Sequence, residues 1–308
     1  MENRQSKGDE MWWKTVVAVL FPPFLLVLLF EVVRCRAELR KSHERLAAYK
    51  AKKVELSYGT MTYIDRGSGV PILSCHGIFG GYDQAFDNVS NYASRHRILA
   101  PSRFGYLGSG VRGEGTPKEQ VKAYVELLDM LGIDKVFVMG ASAGGTIAIR
   151  FALEHPERTH GLILYSSAMP FPAKPASYPK YQGPPAFVCR DYPMYFMRSL
   201  FGPLMGMEPA IVKKMMPISE RRTGVVLDAT ITNPDMARNF EDYPVEDLRV
   251  PSIVLQAEDD KLANFGAAEK AVPRFPRCTF VAFKTGGHMM IGHEQEVDSA
   301  VNQFMDVP

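Results

Sequence analysis

One serine of this chain lies in a glycine-rich turn between an apolar run and an apolar, helix-like repeat. Residues 138–145 read Val-Met-Gly-Ala-Ser-Ala-Gly-Gly, which places Ser142 at the centre of a G-x-S-x-G pattern. The run before it predicts a strand, and the spacing after it predicts a buried helix. A serine on such a turn projects its hydroxyl at a helix N-terminus, where a developing anion is stabilised. By itself the pattern is also compatible with a serine that only caps the helix.

A serine nucleophile requires a base and an acid that orients the base. The apolar run 252–257 predicts a strand and leads into an acidic stretch that contains Asp260. The run 278–283 predicts a further strand, and His288 follows it in a Gly-Gly-His sequence. Both groups therefore lie just past the carboxyl end of a predicted strand, where open α/β sheets place their sites.

Two further segments carry a family resemblance. The predicted strand 70–75 is followed at 76–81 by His-Gly-Ile-Phe-Gly-Gly, which resembles the HG-x motif after the third strand of α/β-hydrolases. Residues 103–109, Arg-Phe-Gly-Tyr-Leu-Gly-Ser, resemble the segment after the fourth strand in many members. With the serine turn, the acid and the histidine in the family's order, the chain from about Val54 onward resembles an α/β-hydrolase.

The resemblance implies an α/β fold with a mostly parallel eight-stranded sheet flanked by helices and a helical cap inserted after the sixth strand. Ser142 would be the nucleophile, His288 its general base, and Asp260 the carboxylate that orients the imidazole. The backbone N–H groups of Ile78 and Ala143 would form the oxyanion hole. Because dehalogenases and epoxide hydrolases of this fold use an aspartate nucleophile, the serine argues against both activities.

The acid has two neighbouring alternatives. Asp259 and Glu258 directly precede Asp260 in the sequence. In the family, the acid is followed by one residue and then an apolar one. That spacing fits Asp260 with Leu262, so Asp260 is the favoured candidate.

The base and the oxyanion hole also have alternatives. His293 competes with His288, but it lies at the predicted start of the last helix, where a surface histidine is expected. Phe79 is an alternative to Ile78 as an oxyanion donor. His76 is expected to hold this loop by hydrogen bonds rather than to take part in the chemistry.

The composition excludes several other classes. The net charge of +2 gives no broad field for nucleic acid. The sequence has no HExxH motif or Cys/His cluster and no dinucleotide-binding glycine motif, so we expect neither a metal nor a cofactor. The four cysteines are far apart, without paired spacing, and are expected to be reduced: Cys35, Cys75, Cys189 and Cys278.

The chain divides into five predicted parts. Residues 1–14 form a polar tail, 15–33 a transmembrane or membrane-anchor segment, and 34–53 a basic, helix-compatible linker. The catalytic core comprises residues 54–170 and 246–308, and residues 171–245 form the cap or lid.

The apolar N-terminal segment allows three interpretations: a membrane anchor, a cleavable signal peptide, or a partly buried terminal helix. Pro22 and Pro23 are expected to kink or split a helix there. Three basic residues precede the segment and eight follow it before Val54. Under the positive-inside rule, this asymmetry predicts a single-pass anchor with the catalytic domain on the cytoplasmic side.

The predicted cap indicates the kind of substrate. Roughly 80 residues separate the sixth and seventh predicted strands, too many for an ordinary loop. They are rich in methionine and aromatic residues, which suit a flexible apolar ligand. The sequence thus predicts a membrane-anchored serine hydrolase of hydrophobic, small-molecule carboxylic esters. Action on thioester, amide or C–C bonds, acyl transfer, and a low-turnover ligand-binding receptor remain alternatives.

Overall fold

The computed structural model describes residues 2–306, with side chains described for residue 12 and beyond, except 13, 15 and 17. Eight strands form one sheet in the order β1-β2-β4-β3-β5-β6-β7-β8. β1 pairs with β2, and β2 with β4, in antiparallel fashion, and all other pairs are parallel. The predicted mostly parallel, eight-stranded sheet is thereby confirmed. The strands are β1 Lys52–Leu56, β2 Gly59–Arg66, β3 Pro71–Cys75, β4 Arg97–Pro101, β5 Val136–Ala141, β6 Thr159–Tyr165, β7 Ser252–Ala257 and β8 Cys278–Phe283.

Helices cover both faces of the sheet and build the cap. In the described part of the chain, the α-helices are α1 Glu2–Ala48, α2 Tyr82–Asp87, α3 Pro117–Met130, α4 Gly144–Glu154, α5 Asp191–Phe196, α6 Phe201–Met205, α7 Ile211–Met215, α8 Arg222–Leu227, α9 Asp235–Arg238, α10 Phe265–Ala271 and α11 Glu294–Met305. A π-helical turn, Asp228–Thr232, continues α8.

The central strands are buried on both faces, as expected for a parallel sheet. In β5, Val136 and Val138 belong to one hydrophobic cluster, whereas Phe137 and Met139 belong to another on the opposite face. The first cluster includes apolar side chains of α3 and α4, and the second includes those of α2 and α11. This alternation fixes the register, because a shift by one residue would exchange the two faces.

The parallel strands bring the ends of distant segments together. Ala141 at the end of β5 pairs with Tyr165 of β6, which pairs with Leu255 of β7. Ala257 at the end of β7 pairs with Phe283 of β8. The loops that follow β5, β7 and β8 therefore leave the sheet on the same side, at the carboxyl ends of these parallel strands.

The chain between β6 and β7 forms the cap. Its helices α5 to α9 are each four to six residues long. Helices α5 to α8 contribute to a third hydrophobic cluster, which includes Met194, Tyr195, Met215 and Met216. Such short helices are held by this shared cluster rather than by their own propensity.

The N-terminal helix differs from the sequence-based expectation. α1 runs without interruption through the predicted tail, the apolar segment and most of the predicted linker. It continues through Pro22 and Pro23, so the expected split there is wrong. Proline is compatible with helical φ, but each proline removes one backbone hydrogen bond and its ring crowds the carbonyl four residues earlier.

The two halves of α1 have different surroundings. Large apolar side chains from Val19 to Val33 are exposed, with Phe24 at 63% and Leu26 at 66%. By length and composition, the stretch Ala18–Ala48 can cross a membrane, although a signal sequence passes the same test. In contrast, Cys35 and Leu46 are buried in the fold. One face of residues 34–48 therefore packs against the rest of the fold.

Candidate active site

Ser142 occupies a strained turn between β5 and α4. Its φ is +52°, a region that residues with side chains rarely adopt. The flanking glycines allow this close approach. A Cβ at Gly144 would lie 2.1 Å from the carbonyl oxygen of Cys75, and one at Gly140 would lie 2.7 Å from Cα of Gly145. The turn therefore tolerates no side chain at either glycine.

Backbone hydrogen bonds fix the turn and link it to the histidine loop. The Ser142 N–H donates to the Tyr165 carbonyl over 3.1 Å, and the Ser142 carbonyl accepts from the N–H of Gly145 over 3.0 Å. The Tyr165 hydroxyl donates to the carbonyl of Met289 over 2.9 Å. Tyr165 thus bonds both to Ser142 and to the residue that follows His288.

Asp260 and His288 are in direct contact. Nδ1 of His288 lies 2.9 Å from Oδ2 and 3.1 Å from Oδ1 of Asp260. The Asp260 side chain is fully buried, and Oδ1 also accepts from the N–H groups of Leu262 and Ala263. A carboxylate at Nδ1 favours the tautomer that carries its proton there, which leaves Nε2 free to accept a proton.

The two alternative acids have other partners. Asp259 Oδ1 accepts from the N–H of Gly287 over 2.8 Å, so it anchors the loop that carries the histidine. Glu258 pairs with Lys284 over 2.7 Å on the surface. Among the three neighbouring carboxylates, Asp260 is the one hydrogen-bonded to the His288 ring.

His293 lies away from this contact. Its Nδ1 lies 2.6 Å from a carboxylate oxygen of Glu296 in the first turn of α11. Its ring stacks on Phe283, with 4.5 Å between the ring centroids. These contacts give His293 a role at the start of the helix, separate from the Asp260–His288 pair.

His76 organises the loop between β3 and α2. It is fully buried, its Nδ1 lies 2.8 Å from the Gly77 carbonyl, and its Nε2 accepts from the N–H of Arg103 over 2.9 Å. Burial, together with the positive charge of Arg103, holds the pKa of His76 well below its ordinary value. A neutral ring with Nδ1 protonated satisfies both hydrogen bonds.

The same loop carries the two oxyanion candidates. Phe79 has a φ of +58°. Its backbone N–H is hydrogen-bonded to the Tyr106 hydroxyl. Among residues 2–306, the N–H groups of Ile78 and Ala143 donate to no protein acceptor. A Cβ built on Gly77 lies 3.1 Å from Cβ of Ser142, so the loop directly adjoins the serine. Ile78 is therefore better placed than Phe79 to offer a free donor.

A buried ion pair next to the His76 loop was not predicted from the sequence. A guanidinium nitrogen of Arg103 lies 2.6 Å from Oδ2 of Asp228 in the cap, and the Tyr106 hydroxyl donates to the same carboxylate. Burial raises the pKa of Tyr106 well above its usual value, and the charge of Asp228 adds to this effect. The signal was available, since Asp228 is a charged residue among apolar ones in the sequence Val-Val-Leu-Asp-Ala. Its partner could not be read from the sequence.

The described part of the chain contains no group of three or more His, Cys, Asp or Glu side chains arranged to hold a metal ion.

Comparison with known proteins identifies the family of the chain. Residues 72–300 match the model of the alpha/beta hydrolase family. Haloalkane dehalogenase 2 of Mycobacterium tuberculosis is 31% identical over 122 residues, which are 39% of this chain and 43% of that protein. The chain thus spans less than half the length of the first curated relatives it matches.

Two longer matches were also found. The 2-hydroxy-6-oxo-6-phenylhexa-2,4-dienoate hydrolase of Burkholderia cepacia is 24% identical over 253 residues, covering 73% of this chain and 83% of that protein. A solved structure, a membrane phospholipase A described as a bacterial virulence factor, superposes with a TM-score of 0.64 at 18% identity. It covers 99% of this chain and 98% of its own, so the shared fold extends over α1.

Proposed function

The chain belongs to the alpha/beta hydrolase family, and from this premise we propose that it is a serine hydrolase that cleaves carboxylic esters of hydrophobic acyl groups. Ser142 is the nucleophile, His288 the general base and Asp260 its orienting acid. The observation that carries the proposal is the 2.9 Å contact between Asp260 and His288. It lies at the carboxyl ends of the parallel strands, where Ser142 also occupies its strained turn.

The reaction proceeds in two halves. The Ser142 Oγ attacks the ester carbonyl carbon while Nε2 of His288 takes its proton. The tetrahedral oxyanion accepts hydrogen bonds from the N–H groups of Ile78 and Ala143. Collapse expels the alcohol, which takes the proton from His288. Water then attacks the acyl-enzyme by the same route, which releases the carboxylic acid and restores Ser142.

The chemistry of serine separates this activity from that of the dehalogenase relative. Displacement of a halide by Ser142 would leave an alkyl ether on the enzyme. An ether has no carbonyl carbon that water can attack, so the enzyme would not be regenerated. Attack on an ester instead leaves an acyl-enzyme, whose carbonyl can be attacked again. A serine nucleophile therefore favours acyl chemistry.

Two features favour a hydrophobic substrate at a membrane. The cap cluster is rich in methionine and aromatic side chains. The exposed apolar surface of α1 is stabilised by a lipid phase far better than by water. We infer that α1 anchors the protein, with the catalytic domain on the cytoplasmic side. One structural neighbour is a membrane phospholipase A, which suggests acyl esters of lipids as candidate substrates.

A second activity follows from one relative. The Burkholderia cepacia protein is named as a hydrolase of a dienoate with a 6-oxo group, and the match covers 83% of it. C–C bond hydrolysis by the same residues is therefore the alternative candidate.

The deciding experiment is hydrolysis of p-nitrophenyl esters of increasing acyl length by the detergent-solubilised full chain, with Ser142→Ala as control. We expect Ser142-dependent turnover that increases with chain length. A 2-hydroxy-6-oxo-dienoate is assayed in parallel. Turnover of that compound alone would replace the ester activity by C–C hydrolysis, and no Ser142-dependent turnover of either would contradict the proposal.

A further inference from the structure

One buried carboxylate connects the oxyanion loop to the N-terminal helix. Asp83 lies in the first turn of α2, directly after the loop that contains Ile78, and its side chain is 2% exposed. Two arginines from different parts of the chain bind it: Arg221 from the cap and Arg45 from α1. No part of the proposed chemistry uses these three residues.

Arg221 holds both the carboxylate and the loop itself. Its two terminal nitrogens lie 3.0 and 2.7 Å from the two oxygens of Asp83, in the bidentate geometry that arginine favours. One of them also donates to the Phe79 carbonyl over 3.1 Å. Burial alone would raise the pKa of Asp83, but the guanidinium groups of Arg221 and Arg45 outweigh it and keep the pKa below its ordinary value.

Arg45 joins three elements through one guanidinium group. One nitrogen donates to Oδ2 of Asp83 over 2.8 Å. The other donates to the carbonyls of Lys214 and Met216, over 2.9 and 3.1 Å. Arg45 therefore binds α1 to the start of α2 and to the C-terminal end of α7 in the cap.

The loop needs such support because its conformation is unfavourable by itself. Phe79 adopts a φ of +58°, a left-handed conformation that is sterically unfavourable for a residue with a side chain. Such a conformation persists when its surroundings impose it. Arg221 imposes it at the Phe79 carbonyl, and Arg45 shares the carboxylate that holds Arg221 in place.

We propose that Arg45 is a positioning residue for the oxyanion hole, so that full turnover requires the packed end of α1. This inference rests on the proposed function. Arg45 acts through Asp83 and Arg221 on the orientation of the Ile78 N–H. An oxyanion donor stabilises the transition state more than the bound substrate, so its displacement lowers kcat and leaves KM nearly unchanged.

The test compares Arg45→Gln with Arg36→Gln in the full-length protein. Arg36 is a matched control, because it also lies on α1 and bonds to the cap, through the Tyr192 hydroxyl at 3.2 Å, without touching Asp83. For Arg45→Gln we expect kcat to fall about tenfold at nearly constant KM, less than the roughly 10²–10³-fold loss on removing a donor outright. Arg36→Gln should retain the wild-type kcat. Arg45→Lys, which keeps a charge for Asp83, should lie between Arg45→Gln and wild type.

A second readout does not depend on the substrate. The rate of Ser142 phosphonylation by a fluorophosphonate, in which Oγ attacks phosphorus and fluoride leaves, should fall in parallel with kcat. Equal effects of Arg45→Gln and Arg36→Gln, or a change confined to KM, would overturn the inference while leaving the ester activity intact. If Arg45→Gln does not fold, an Arg45→Lys enzyme with wild-type kcat overturns it equally. A wild-type protein without Ser142-dependent hydrolysis or labelling would remove the proposed function and the inference with it.

Discussion

Oδ2 of Asp260 lies 2.9 Å from Nδ1 of His288, although the two residues follow different strands. The contact forms because β7 and β8 are parallel neighbours and their loops leave the sheet together. Asp259, one residue away, instead holds the backbone of the histidine loop at Gly287.

This difference predicts opposite outcomes for two neighbouring substitutions. Asp260→Asn should lower kcat on the order of 10³- to 10⁴-fold, because an amide favours the wrong imidazole tautomer and stabilises no imidazolium. Asp259→Asn should cost less than about tenfold, since its Oδ1 can still accept from Gly287. Steady-state ester hydrolysis measures both. A larger loss in Asp259→Asn than in Asp260→Asn would refute the assignment of the acid.

The two histidines near the C-terminus are predicted to differ as clearly. His288→Ala should lower kcat by about 10³-fold or more, because Ser142 loses its base. His293→Ala removes a ring stacked on Phe283 and a hydrogen bond with Glu296, neither of which touches the reacting groups. It should keep nearly wild-type kcat in the same assay. An inactive His293→Ala enzyme whose circular dichroism spectrum shows that it is folded would contradict this assignment.

The strain at Ser142 can be measured without activity. Both Ser142→Ala and Ser142→Gly should be inactive, but alanine retains a Cβ at a φ of +52° and glycine does not. We therefore expect Ser142→Gly to be more stable than Ser142→Ala by about 1 kcal/mol, despite the greater entropy of glycine in the unfolded state. Urea unfolding gives the difference. A more stable alanine variant would argue against a strained turn.

The division of α1 predicts two different results of truncation. Removal of residues 1–33 should give a detergent-free soluble, active enzyme, because it deletes the exposed apolar stretch and retains Cys35, Arg45 and Leu46. Removal of residues 1–50 should cost both stability and turnover, because it uncovers the cap cluster and breaks the pair with Asp83. Thermal unfolding and ester hydrolysis of both proteins test this. Equal behaviour of the two truncated proteins would contradict it.

The buried His76 predicts a loss of stability in acid. Its pKa in the folded protein lies well below the value near 6.5 of the unfolded chain, so the unfolded state binds the proton first. The destabilisation by His76 is absent at higher pH. Below about pH 6.5 it lowers the free energy of unfolding by about 1.4 kcal/mol per pH unit. Urea unfolding at pH 7.5 and 5.5 should show this extra loss in wild type and not in His76→Asn. Equal losses in both proteins would mean that His76 is not held neutral.

Much of the architecture could be predicted from local pattern. The apolar runs of β5, β7 and β8 are long enough to identify buried strands, and the glycines around Ser142 identify a sharp turn. The order of serine, acid and histidine then determined which strand ends had to meet. These features depend on residues close together in the chain, so the sequence alone carries them.

The pairing of charges across the molecule was decided only by the tertiary structure. Asp228 with Arg103, and Asp83 with Arg45 and Arg221, join segments that are between 38 and 138 positions apart. The sequence shows such residues as isolated charges, because a partner is defined by packing and not by spacing. For the same reason the sequence identified the basic stretch after Val33 only as a helix-compatible linker, whereas in the folded protein Arg45 from this stretch pairs with the buried Asp83.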